Sequence, residues 1–127
     1  MSTANDLDPQ AIERLRKLGG AKFTAEMIRL FLGYGAEKLA EARRAQQAAD
    51  LVGVQRAVHP LKSSAGNVGA ARMQRLASEA EQRAMERQAE AVAGLLDELE
   101  RAYQTVRPLL EAECPRQDPS STGPVQT

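Results

Sequence analysis

Apolar residues recur along this chain at intervals of three and four, the period of an α-helix with one buried face. The stripe is clearest in Leu51, Val54, Val58, Leu61, Ala65 and Val68. Val92, Leu95, Leu96, Leu99, Ala102, Tyr103, Val106 and Leu110 form another strong one, and Met73, Leu76, Ala80 and Ala84 a weaker one between them. Upstream, Phe23, Met27, Leu30, Phe31 and Tyr34 make an apolar face that Leu39, Ala42 and Ala45 or Ala49 carry on to Asp50. A short helix with Ile12, Leu15 and Leu18 inward comes first.

Local chemistry marks the boundaries. Asp8-Pro9 reads as an N-cap followed by the first helical residue. Gly19-Gly20 should end the short helix, and Gly33 and Gly35 predict a kink or break in the next. Asp50 can cap the helix that follows, which Asn67-Val68-Gly69 should end. Pro108 should kink the last helix near its end. No alternating run looks like a strand, and there is no internal repeat. These elements predict an all-α fold, an antiparallel four-helix bundle with one or two short N-terminal helices. The expected domain spans 7–113, after a flexible N-terminus at 1–6. A disordered tail, rich in Pro, Ser, Gly, Gln and Thr, covers 114–127.

Composition narrows the function classes. The 127 residues suit one domain, and 43% hydrophobic with 27% charged residues is ordinary for a soluble chain. Seventeen basic and 17 acidic residues leave no net field toward nucleic acid or an anionic membrane. No apolar run approaches the ~20 residues that span a bilayer, and the polar start is no signal peptide. Cys114 stands alone, which excludes an intrachain disulfide framework and fits a reducing, cytoplasmic setting. One histidine and one distant cysteine do not make a usual zinc set. Gly66 and Gly69 lack the strand and the lysine-serine pair of a P-loop, which argues against direct use of ATP.

The single histidine, His59, lies within the clearest stripe but roughly 130° from its centre at 100° per residue. Gln55, Lys62, Ser63 and Gly66 fall on the same side. The imidazole should therefore face water, with a lysine one turn on. Gly66, mid-helix on that side, costs ~1 kcal/mol relative to alanine, which makes sense where a partner must come close. Each feature has a plainer reading. A lone surface histidine is usually only that, Lys62 could be solvated, and Ser63 could bond back to the carbonyl of His59. The run Glu79-Ala80-Glu81-Gln82-Arg83 reads as a solvated face. Pro60 would either open the turn holding His59 or merely bend the helix.

The segment His59-Pro60-Leu61-Lys62-Ser63-Ser64-Ala65-Gly66-Asn67-Val68-Gly69-Ala70 resembles the histidine phosphotransfer (HPt) domain of two-component phosphorelays. The family motif is roughly His-x-x-Lys-Gly/Ser-small-small-Gly-x-x-Gly-Ala, and His59, Lys62, Ser63, Gly66, Gly69 and Ala70 occupy its positions. Phe23, Phe31, Leu32 and Leu39 before it, and Met73, Leu76, Glu79, Ala80 and Glu81 after it, are similar to the flanking helices. The likeness covers about residues 7–112. Pro60 directly after the histidine, and Ser63 where many members have glycine, depart from the pattern.

The resemblance implies that His59 Nε2 reversibly accepts a phosphoryl group from a receiver-domain aspartate, while Lys62 offsets the phosphoryl charge. Gln55, Ser63 and Gly66 would belong to the docking face, with apolar positions of the Phe23–Tyr34 helix. Expected partners are response-regulator receiver domains and a hybrid histidine kinase, met in trans by a monomer that binds no cofactor. Mg²⁺ would sit on the receiver. The alternatives are a helical adaptor that transfers nothing, which needs neither His59 nor Lys62, and the histidine-bearing domain of a chemotaxis-type kinase.

Overall fold

A computed structural model describes residues 6–114 and shows four helices without strands among them: α1 (Pro9–Gln47), α2 (Leu51–Asn67), α3 (Ala71–Met85) and α4 (Ala89–Glu111). Each helix packs on its neighbour in sequence, and α4 also packs on α1. The enclosed core includes Ile12, Ile28, Leu61, Met73, Leu96 and Leu99, all nearly inaccessible to solvent. No helix of the described residues is long and apolar enough to cross a membrane. The expectations for residues 1–5 and 115–127 lie outside the described residues.

Three-residue connections follow from how the helices end. After α1, α2 and α3 one residue turns into the left-handed region: Ala49 (φ 57°), Gly69 (φ 79°) and Arg87 (φ 61°). Each turn closes the same way. Ala70 N donates to Ala65 O at 2.8 Å and Gly69 N to Gly66 O at 3.1 Å, with matching pairs from Asp50 and Ala49 after α1 and from Gln88 and Arg87 after α3. This is the Schellman arrangement, which satisfies the last carbonyls of a helix and reverses the chain at once. Asp50 then caps α2 by accepting from Gly53 N at 2.9 Å, as Asp8 caps α1 by accepting from Gln10 N at 3.0 Å.

Gly20 interrupts α1 with φ 87° and ψ −177°, a conformation open essentially to glycine alone. The expected short leading helix is thus the first segment of α1, separated by one non-helical residue. Leu18, in the turn beside that break, is 77% exposed rather than inward. No break occurs at Gly33 or Gly35. Gly35 is buried, and a Cβ there would stand 3.4 Å from the Tyr103 ring, whose hydroxyl donates to Leu32 O at 2.7 Å. The glycine lies against α4 instead of bending α1. The buried stripe of α1 accordingly runs through Thr24, Ala25, Ile28, Phe31, Gly35, Leu39 and Ala42, which leaves Leu30 and Tyr34 on its flank. Small residues carry much of that stripe, so reading it from large apolar side chains rotates it. α2 and α4 continue through Pro60 and Pro108 with no non-helical residue inside either.

The segment before α1 fastens the α2–α3 turn. Asp8 N donates to Gly69 O at 2.7 Å, and Ala71 N donates to Asp6 O at 3.1 Å. Asp6, which the sequence assigned to the flexible arm, is buried, with its carboxylate 3.2 Å from Arg72 Nε. A Cβ at position 69 would come within 2.5 Å of the Asp8 carbonyl oxygen, so Gly69 is required by space as well as by torsion.

Candidate functional site

The apolar stripe of α2 is buried through Val54, Val58, Leu61 and Ala65, which fixes the rotation of the helix and sends position 59 outward. The His59 side chain is 65% exposed. Gln55 and Gly66 are half-buried and Ser63 is exposed on the same side of the helix. Pro60 cannot donate to the carbonyl of Arg56, yet α2 stays helical around it.

Glu81 of α3 completes the arrangement. His59 Nδ1 lies 2.6 Å from Glu81 Oε2, and Lys62 Nζ donates to Glu81 Oε1 at 2.6 Å. One carboxylate therefore holds both the ring and the ammonium. Glu81 is buried, so it is no part of a solvated face. Burial pushes its carboxyl upward, but the hydrogen bonds from Lys62 and His59 and the attraction of both outweigh this and hold it below its ordinary value. It stays ionised, and an ionised carboxylate only accepts. Nδ1 must then carry the proton, which leaves the lone pair of the neutral ring on Nε2. Nε2 has no hydrogen-bond partner among the described residues.

The sequence missed Glu81 because it stands 22 positions from His59 in a charge-rich run. A usable signal was its place on the edge of the α3 stripe, beside Ala77, Ala80 and Ala84, whose small side chains lie fully or almost fully buried. Small residues at a helix contact let two backbones approach, and a polar group beside them is drawn into the seam.

Gly66 also has a structural occupant. A Cβ there would stand 2.5 Å from Gln74 Nε2. The space that its missing side chain leaves is filled at least in part by the Gln74 amide from α3.

An outward nucleophilic nitrogen, a carboxylate behind the ring and a lysine beside it suit reversible transfer of an anionic group, and they sit on a four-helix scaffold. The chain belongs to the Hpt domain family, whose sequence model matches residues 26–107. Its role is histidine phosphotransfer in a phosphorelay, and Hpt domains in such relays interact with receiver domains and kinases. The fold is similar to the crystal structure of histidine-containing phosphotransfer protein B (HptB) from Pseudomonas aeruginosa PAO1. The TM-score is 0.81 at 23% identity, over 85% of this chain and 93% of that one. No curated protein matches the chain in sequence.

Proposed function

We propose that His59 is the phosphoryl-bearing residue and that the protein carries the group from one receiver domain to another. Nε2 attacks the phosphorus of an aspartyl phosphate. The N–P bond forms, the P–O bond to the aspartate breaks, and its carboxylate leaves. The ring keeps its Nδ1 proton and becomes cationic, and Glu81 stabilises that charge. Lys62, one turn from His59, can exchange Glu81 for the phosphoryl oxygens. The reverse sequence passes the group on. Mg²⁺, which phosphoryl transfer usually needs, is supplied by the receiver.

Gln55, Ser63 and Gly66 form the near docking surface, and the interface is small, at the low end of ~1,200 Å², because a carrier must release one receiver before meeting the next. The protein acts as a monomer, with its helices antiparallel, in keeping with their three-residue connections.

The observation that carries this reading is the pairing of Nδ1 with a buried carboxylate behind an exposed ring. It is tested by His59→Gln. The variant should keep wild-type helicity, since the ring is exposed, and should take up no acid-labile, base-stable label from phosphorylated receivers. Label in that variant would move the site elsewhere.

A further inference from the structure

We propose that Arg75, with Gln74 and Ser78, extends the docking face onto α3 and selects among receiver domains by their charge. This rests on the reading of His59 as a phosphoryl carrier. An open depression of about 760 Å³ runs over α3, lined by Lys62, Gln74, Arg75, Ser78, Glu79 and Glu81 among others. Lys62 and Glu81 belong to it and to the histidine site, so the two surfaces are continuous.

The cations of this depression differ in how they are engaged. Lys62 is held by Glu81, and Arg83 by Glu86. Arg75 is exposed and forms no ion pair with the described residues. It precedes Glu81 by six positions, ~9 Å along the helix axis and roughly 120° around it, and both line the same depression. That reach falls inside an interface of even ~600 Å² per partner. Gln74 is already laid across the α2–α3 seam at Gly66, so α3 presents polar side chains level with the motif on α2.

The partner's chemistry complements this surface. A receiver that holds an aspartyl phosphate and its Mg²⁺ does so with carboxylates, because Mg²⁺ takes oxygen ligands. Its contact face is anionic before any specific pairing. A cation at the rim then favours encounter with receivers whose own rim adds acidic residues. Glu79, one turn from Arg75, repels the same charge placed slightly further on, so the pair reads a pattern rather than a total.

The test uses a panel of purified receivers, charged with acetyl phosphate, whose rims are acidic or neutral beside the phosphorylation pocket. Arg75→Glu should raise KM for acidic-rim receivers about tenfold at low salt, with kcat little changed, and weaken the salt dependence of transfer. Neutral-rim receivers should respond far less. Changing the receiver's rim carboxylate to lysine should restore KM. Arg75→Ala should give a smaller effect of the same sign, and labelling of His59 by a small phosphoramidate should match wild type in both variants. An unchanged KM, an equal rise for both receiver classes, or no rescue by the charge swap would overturn the proposal. Failure of phosphoramidate to label wild-type His59 would count against the carrier reading instead.

Discussion

A carboxylate that accepts from two side chains fixes both of them. Glu81 orients His59 through Nδ1 and restrains Lys62 through its other oxygen, each at 2.6 Å. Glu81→Ala should therefore slow phosphoryl acceptance on the order of tenfold, the effect of about 1.4 kcal/mol lost from transition-state stabilisation. Glu81→Gln should recover part of it, since the amide oxygen still accepts from Nδ1, although its NH₂ then meets the Lys62 ammonium. Rates of labelling by phosphorylated receivers and by phosphoramidate check this, and wild-type rates in Glu81→Ala would leave the ring indifferent to its orientation. The pH dependence of stability follows from the lowered carboxyl. A group whose folded value lies below its unfolded one stabilises the native state above the unfolded value and loses that contribution as pH falls through the folded one. Wild type should thus lose more stability than Glu81→Gln on acidification below about pH 4.5, the ordinary carboxyl value. His59 and Lys62 were legible because a short motif and a helical stripe place them. Glu81 was not, because its role depends on the register of α3 against α2.

At the scale of elements, the apolar period located α2, α3 and α4 and the face that each buries. The ends were harder. Gly69 is an ordinary helix-stop signal, whereas Ala49 and Arg87 adopt the same left-handed torsion with side chains that disfavour it. L-residues give up roughly 1 kcal/mol there. Ala49→Gly and Arg87→Gly should each stabilise the fold by up to about 1 kcal/mol, read as a raised urea midpoint with an unchanged slope. Gly69→Ala should go the other way and further, by ~2 kcal/mol or more, because torsional strain adds to the close approach of the Asp8 carbonyl. Equal midpoints for the three variants would mean that these turns relax freely. Gly33 and Gly35 show the opposite failure: a residue type that weakens helices predicts a break, while α1 runs through both and packs Gly35 against Tyr103 of another helix. Such a tertiary partner lies outside any local window.

Across the whole molecule, the core, the three tight turns and the Asp6–Asp8 strap hold α2 and α3 in fixed register, so the backbone supporting the site has little reason to move when the ring is modified. The response falls to side chains. Once Nε2 bears a phosphoryl group, Lys62 is drawn toward it, and Glu81 keeps the ring, now cationic, as its one donor. The loss of the ammonium raises the carboxyl's affinity for a proton, and the charge gained by the ring lowers it. A carbon-detected NMR titration should therefore find Glu81 still ionised at neutral pH in the phosphorylated protein, with the Nδ1 proton retained on the loaded ring. That proton lets the ring leave as neutral imidazole when the group moves on. The shared carboxylate thus sets how readily the carrier unloads, from a residue that never touches phosphorus.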